Sequence, residues 1–234
     1  YFFSFQGLIL YLVTLVFVKS LHELGHAFVS KYFGCRVSSI GIAFLVFFPF
    51  LYTDTSDAWR LRDHKDRLLI NFAGILTELH LALISTFLWA ILPDGGLKSV
   101  AFFIATTSWI SSLAINVSPF MRFDGYYVFS DWLKAENLQP RSFALARWQL
   151  REILFGFNHP PPEDLNPSRR WTFISYAWLT WVYRFFIFLG IALLVYHLAF
   201  KTLGIILFVI EIYWFILRPI ITETKNWYNL KSEI

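Results

Sequence analysis

The chain has 234 residues, of which 57% are hydrophobic, 21% are aromatic and 15% are charged. This composition excludes an ordinary soluble domain and is typical of a protein embedded in a lipid bilayer. The net charge of +4 does not indicate nucleic-acid binding, and the single cysteine, Cys35, excludes an internal disulfide and a cysteine-based zinc cluster. We also expect a segment of a longer protein, because the chain begins at Tyr1 and its one methionine is Met121.

Five apolar stretches dominate the chain, and a helix needs about 20 such residues to cross a bilayer. They are 5–30, 68–92, 97–117, 171–198 and 203–220. The first three are predicted to form a core, and the last two to add further transmembrane helices. The pattern therefore predicts an all-α polytopic membrane protein.

A shorter apolar segment, Gly41–Tyr52, lies between the first two stretches. It is too short to cross the membrane as a helix, so we predict a re-entrant segment or a hairpin of β-strands. The polar region farther along is predicted to contain an interfacial helix at Arg141–Phe155. The chain is thus expected to have three regions, 1–130, 131–170 and 171–234.

The first apolar stretch contains the sequence His22-Glu23-Leu24-Gly25-His26. Two histidines four residues apart on a helix project from one face and can share a metal ion, and the adjacent glutamate can act as a base. This pattern can arise by chance in a soluble helix. Here it lies inside a predicted membrane span, where ionisable groups are costly and usually functional.

The second stretch carries several polar residues. At about 100° per residue, Asn71, Gly74 and Glu78 fall on one stripe, which we predict to face the protein interior, and His80 falls on the opposite side. We favour a hydrogen bond to a neighbouring helix for His80 over a role as a zinc ligand. For Lys19, in the first stretch, we favour snorkelling or pairing with a buried acid over catalysis.

The third stretch ends in the pattern Asn116-x-x-Pro119-x-x-x-x-Asp124-Gly125. Pro119 is expected to stop the helix, and Gly125 permits a turn. Asp124 is therefore predicted to be a carboxylate on irregular backbone beside the membrane.

The distribution of basic residues predicts the orientation of the chain. Five spans would place sixteen of the twenty lysines and arginines on one side, with Lys98 and Lys201 on the other. The positive-inside rule makes the first side cytoplasmic. His22, His26 and Asp124 all lie near that face, so the topology brings two histidines and a carboxylate together. Such a ligand set leaves an open position and predicts a catalytic zinc site.

A zinc site of this kind predicts hydrolysis of an amide, with Glu23 passing a proton from water to the leaving amine. Because the site lies at a membrane face, the expected substrate is a peptide bond in or beside a membrane segment of an anchored peptide or protein. A helical substrate must unwind first, and pairing with the strand edge in Gly41–Tyr52 would hold it extended. Asn116, Glu78 and Asn71 are our candidates for contacting the substrate.

The two motifs together resemble those of the site-2 protease family of intramembrane zinc metalloproteases, over roughly Phe5 to Val128. The resemblance implies a three-helix metalloprotease core, a Zn²⁺ cofactor, His22, His26 and Asp124 as its ligands, and Glu23 as the catalytic residue. The ending Phe123–Tyr127 resembles a bacterial branch of peptide zinc metalloproteases. That branch implies location in the bacterial inner membrane, with the active site toward the cytoplasm, and secretion or peptide-modification partners.

This chain departs from the family pattern in the second helix. Ile75 stands where many members have proline, and Glu78 stands where many have asparagine. An acid there could contact substrate, pair with Lys19 or perturb the metal. The alternative function is a non-catalytic membrane component of a peptide maturation or export system that retains the protease fold. Six histidines are too few for a membrane di-iron enzyme.

Overall fold

The computed structural model of the chain describes residues 5–45, 48–156, 158–198 and 200–231. These residues belong to two compact units, which divide between Glu136 and Asn137. Each unit is described by itself below.

The first unit is built on three helices that match the first three predicted spans. They are α1 (Phe5–Tyr32), α2 (His64–Ile91) and α3 (Gly96–Trp109). A π-helical segment, Ile110–Asn116, continues α3, and a short helix α4 (Asp124–Trp132) follows. Helix α2 contacts α1, α3 and α4 and therefore forms the centre of this unit.

The segment between α1 and α2 forms a β-hairpin, which is one of the predicted alternatives. Strand β1 (Ile40–Leu45) pairs antiparallel with β2 (Phe48–Thr53), with Gly41 opposite Tyr52 and Ile42 opposite Leu51. The sheet has these two strands among the described residues, so each strand has one edge that pairs with no other strand. Strand β2 packs against α1, which places the hairpin beside the His-Glu-x-x-His motif.

Local chemistry explains where the helices begin and end. Helix α2 starts after Asp63, whose carboxylate accepts a hydrogen bond from the backbone N–H of Lys65 at 2.9 Å, and it ends just before Pro93. The turn after α1 contains Gly34 at a φ of 74°, a left-handed conformation that glycine adopts without strain.

Helices α1 and α2 approach each other closely at Gly25. A Cβ at this position would overlap Oγ1 of Thr77 and lie 3.1 Å from the backbone oxygen of Ala73. Small residues allow membrane helices to pack at short distance. The glycine inside the histidine motif therefore brings α2 against the face that carries the two histidines.

The second unit contains four helices among its described residues. They are α5 (Leu138–Phe155), α6 (Pro167–Leu198), α7 (Lys201–Ile212) and α8 (Arg218–Lys231), and π-helical residues Tyr213–Leu217 join the last two. Helix α5 contains the helix predicted at Arg141–Phe155. Outside the spans, Arg141 pairs with Glu163, and this hydrogen bond holds the pKa of the Glu163 carboxyl below its usual range.

Four helical segments among the described residues are long and apolar enough to cross a membrane. They are Gly7–Tyr32, His64–Ile91, Pro167–His197 and Lys201–Trp227. Helix α3 is shorter, and with its π-helical continuation it ends at Asn116, one residue before the predicted end of the third span. The prediction of an all-α polytopic membrane protein with a short β segment is confirmed.

Candidate metal centre

Three predicted ligands converge in the first unit. Nε2 of His22 lies 2.9 Å from Oδ2 of Asp124, and Nε2 of His26 lies 3.3 Å from the same oxygen. The two Nε2 atoms are 3.2 Å apart. Among the described residues, this is the one group of three or more metal-ligating side chains close enough to share an ion.

The triangle fits a zinc ion. Zinc binds imidazole nitrogen and carboxylate oxygen at about 2.0–2.2 Å, and tetrahedral coordination then separates neighbouring ligand atoms by about 3.3 Å. The observed separations of 2.9, 3.2 and 3.3 Å agree with that value. Two imidazoles and one carboxylate also form the donor set of catalytic rather than closed structural zinc sites.

Helix α1 and a tight turn position the ligands. His22 and His26 lie one turn apart on α1, and Asp124 is the first residue of α4. The prediction that Asp124 lies on irregular backbone is therefore wrong; the irregular residues end just before it. A Cβ at the next residue, Gly125, would overlap the backbone oxygen of Val117, so glycine allows α4 to begin against the end of the preceding helix.

Helix α2 orients both histidine rings. Nδ1 of His26 lies 2.8 Å from the backbone oxygen of Ile70, to which it can donate its proton. Nδ1 of His22 lies 3.0 Å from Oε1 of Glu78, within ion-pair distance although the N–H does not point along that line. Protonation at Nδ1 leaves Nε2 unprotonated, which is the form that binds a metal.

Glu78 connects three parts of the unit. Its side chain is fully buried, and Nζ of Lys19 donates to Oε1 at 2.8 Å. Nδ2 of Asn116 donates to Oε2 at 3.0 Å. The predicted pairing of Lys19 with a buried acid is confirmed. The glutamate thus links α1, α2 and the π-helical segment behind His22.

Gly74 leaves room for the two ligand nitrogens. A Cβ at this position would overlap Nε2 of both His22 and His26. The absence of a side chain at Gly74 therefore leaves space beside the atoms that would hold a metal. The predicted interior stripe on α2 contacts the histidines through this residue and through Glu78.

Asp124 is suited to bind a cation. Burial disfavours its charged form, but hydrogen bonds from Nε2 of His22 and His26, which the rings can donate when that nitrogen carries a proton, outweigh burial and hold the pKa of Asp124 below its usual range. The carboxyl is therefore ionised at neutral pH.

A polar cavity of about 520 Å³ opens beside the three ligands, and Glu23, His26 and Asp124 all line it. Residues 51–53 of β2 form another part of the wall. The backbone oxygen of Glu23 accepts a hydrogen bond from Oγ1 of Thr53 at 3.0 Å, which ties the end of β2 to the histidine motif.

One polar group in the cavity wall belongs to none of the sequence motifs. Asp131 accepts a hydrogen bond from Nδ2 of Asn71 at 2.7 Å and lies 3.4 Å from the guanidinium of Arg67. Burial raises the pKa of Asp131, although Arg67 and Asn71 act against it. Helical spacing offered a signal, because Asp131 follows Asp124 by seven residues and Arg67 precedes Asn71 by four.

The three candidates for substrate contact lie in different places. Asn71 lines the cavity, whereas Glu78 and Asn116 are buried against each other and are not part of its lining. His80 is exposed, and its Nδ1 lies 2.6 Å from the backbone oxygen of Leu76 in its own helix. The predicted hydrogen bond of His80 to a neighbouring helix is therefore wrong, and His80 does not join the candidate metal centre.

Replacing Glu78 with glutamine is expected to weaken zinc binding by about 10- to 100-fold, the usual effect of losing a partner of a metal-ligating histidine. The amide would keep the shape of the carboxylate but remove the charge beside His22 and Lys19. Competition with a chromophoric chelator measures the affinity. Glu136→Gln, at an exposed glutamate of the same unit, is the matched control. An unchanged affinity in Glu78→Gln would show that Glu78 does not support the site.

Fold and site together define a polytopic membrane protein with a metallopeptidase-type arrangement of residues. Residues 8–117 match the model of peptidase family M50. The matched family is the site-2 protease family, and the match confirms the resemblance drawn from the motifs. The match contains His22, Glu23 and His26 and ends before Asp124. Comparison with curated proteins and with solved structures gives no match.

Proposed function

We propose that this protein is an intramembrane zinc endopeptidase that hydrolyses a peptide bond in or beside a membrane segment. The observation that carries the proposal is the convergence of His22, His26 and Asp124 within 3.3 Å of one another, next to a cavity that Glu23 lines. The match of residues 8–117 to a peptidase family supports the same conclusion.

The residues have separate roles. His22, His26 and Asp124 would hold the metal, and the bound ion would polarise the scissile carbonyl and make water more acidic. Glu23 would accept the proton of the attacking water as general base. It would then deliver that proton to the leaving amine, so that the carboxylate is restored at the end of the cycle.

The other candidates support this centre in two ways. Glu78 and Asn116 would hold His22 in position, because Glu78 contacts both residues from a fully buried position. Asn71 remains our candidate for contacting substrate, because it lies in the cavity wall with Asp131.

The β-hairpin would hold the substrate extended. Amides of a helical peptide are hydrogen-bonded internally, so the segment must unwind before attack. Residues 51–53 of the hairpin line the cavity, and β1 has an edge that pairs with no other strand among the described residues. An extended peptide can add to such an edge through main-chain hydrogen bonds.

Proline at Gly41 or at Ile42 tests this strand pairing. Consecutive amides of a strand point to opposite edges, so one of the two prolines removes an N–H facing β2 and the other removes an N–H at the free edge. If the substrate pairs with β1, the free-edge proline should lower cleavage of a membrane-anchored peptide about tenfold through the loss of one main-chain hydrogen bond. Unchanged cleavage in both single variants would show that no strand pairing occurs there.

The proposed location is the inner membrane of a bacterium, with the site toward the cytoplasm. The bias of lysine and arginine toward one set of loops supports this orientation. The proposed partners are a membrane-anchored peptide or protein as substrate and components of secretion or peptide modification.

The function is tested by comparing membrane peptides in cells that carry the native protein or its Glu23→Gln variant. We expect one or a few anchored peptides to accumulate uncleaved in the variant. Identical inventories, with the cellular phenotype of the native protein retained by the variant, would favour the alternative of a non-catalytic export component.

A further inference from the structure

The second unit contains a large apolar cavity of about 700 Å³ between α5, α6, α8 and the π-helical segment that joins α7 and α8. Its volume lies within the range of pockets that hold organic ligands. The proposed peptidase chemistry uses no residue of this unit, so the cavity calls for a separate explanation.

Aromatic side chains form half of the apolar wall. Trp178 and Trp181 come from α6, and Trp214 and Phe215 come from the π-helical segment. Helices α6 and α7–α8 are among those long and apolar enough to cross the membrane, so the surroundings of this cavity include lipid. An occupant must therefore offer long apolar chains to the tryptophans.

The π-helical turn shapes the wall. Such turns are rare, and they often occur at functional sites because they displace backbone groups from the regular helical pattern. Here the indole N–H of Trp181 donates to the backbone oxygen of Phe215 at 3.2 Å. This bond fixes Trp181 against the irregular turn and keeps the apolar wall in place.

The polar part of the cavity is basic. Arg147 and Arg218 line it, and Arg151 lies nearby. Glu223 is the one acid in the lining, and its carboxylate lies 3.8 Å from Arg147 and 3.9 Å from Arg151. Three arginines and one glutamate therefore lie in or beside the lining.

Two donors at this end lack an acceptor. The guanidinium of Arg218 stacks 4.2 Å above the ring of Trp214, and no carboxylate of the described residues lies within 4 Å of it. Nε1 of Trp227, also in the lining, is buried without a hydrogen-bond acceptor within the described part of the chain. These donors favour a ligand with acceptor oxygens, and the excess of arginine over glutamate favours a negative charge.

We infer that this cavity binds an anionic glycerophospholipid. Its phosphate would lie between Arg147 and Arg218 and accept a hydrogen bond from Trp227, and an acyl chain would lie along the tryptophan wall. Basic pockets between membrane helices on the cytoplasmic side bind anionic lipid headgroups in this manner. Lipid is preferred to a peptide occupant because the acceptors of a phosphodiester match unpaired donors, whereas a peptide backbone brings its own donors.

Native mass spectrometry of the full chain in detergent tests the inference. The protein is incubated with dioleoyl phosphatidylglycerol or with dioleoyl phosphatidylcholine, which carries the same acyl chains. We expect one phosphatidylglycerol molecule to be retained about tenfold more tightly than phosphatidylcholine. Both lipids carry a phosphate, but the choline cation of phosphatidylcholine offsets its charge, whereas phosphatidylglycerol presents a net negative headgroup to the two arginines. Equal retention of the two lipids would overturn the inference.

Variants locate the bound lipid. Arg147→Gln/Arg218→Gln should reduce retention of phosphatidylglycerol to the level of phosphatidylcholine, and Lys225→Gln, which removes an exposed positive charge from α8 outside the cavity, should not. Retention unchanged in the double variant, or reduced equally in Lys225→Gln, would show that the lipid binds elsewhere.

Further measurements distinguish loss of lipid binding from misfolding of the variants. Helix content and thermal unfolding, measured by circular dichroism, are expected to be unchanged in the double variant. Trp214→Leu keeps an apolar side chain but removes the ring under Arg218. It should weaken the binding of phosphatidylglycerol more than the binding of phosphatidylcholine. A folded Trp214→Leu variant that loses both lipids equally would contradict the proposed headgroup position.

Discussion

Replacing Glu23 with glutamine is expected to lower peptide hydrolysis by about 10³-fold, within the range that general acid–base catalysis usually contributes. Glutamine has the size of glutamate but cannot accept the proton of the attacking water. Glu23 is not one of the three predicted metal ligands, so the zinc content should remain at one ion per chain. Loss of activity with retained metal is the signature of a general base, and it separates this role from that of a ligand.

The purified protein in detergent micelles allows both measurements on one sample. Cleavage of a membrane-anchored peptide gives the rate, and elemental analysis gives the zinc content. Glu136→Gln is the matched control, because it makes the same chemical change at an exposed position of the same unit. Full activity of Glu23→Gln would exclude Glu23 as the base, and simultaneous loss of zinc would show that the residue supports the metal instead.

Much of the candidate site could be predicted from local spacing. The i, i+4 relation of His22 and His26 is a property of any helix, so the sequence alone places both rings on one face. The apolar lengths and basic loops then bring Asp124 to the same membrane face. The apolar segment 41–52 is too short to span the membrane, which left a re-entrant segment and a β-hairpin as the alternatives, and the structure has the hairpin.

Other features depend on tertiary contacts that no local pattern encodes. Glu78 was open to three roles from the sequence, and its position between Lys19 and Asn116 is set by how α1 and the π-helical segment pack on α2. The Arg67–Asp131 contact joins α2 to α4, and neither residue belongs to a motif. The π-helical turns were also not predicted, because the apolar pattern of a span continues through them.

Replacing Gly74 with alanine is expected to weaken zinc binding by at least 100-fold. The added Cβ would overlap Nε2 of both His22 and His26, so both rings must leave the positions in which these nitrogens converge with Asp124. Displacing two of three ligands costs more than losing a single supporting contact, which typically reduces affinity 10- to 100-fold. Helix propensity acts in the opposite direction, since glycine within a helix is less stable than alanine by roughly 0.5–1 kcal/mol.

Steric overlap and helix propensity therefore predict opposite effects of Gly74→Ala, and a control variant separates them. Gly190→Ala is the control, because Gly190 lies within α6 and a Cβ there meets nothing within 4 Å. Both variants gain helix propensity, and Gly74→Ala alone closes the space beside the ligand nitrogens. Zinc affinity from chelator competition should therefore fall in Gly74→Ala and stay unchanged in Gly190→Ala. Equal affinities in the two variants would mean that the metal does not lie against α2, and the proposed coordination by both histidines would have to be abandoned.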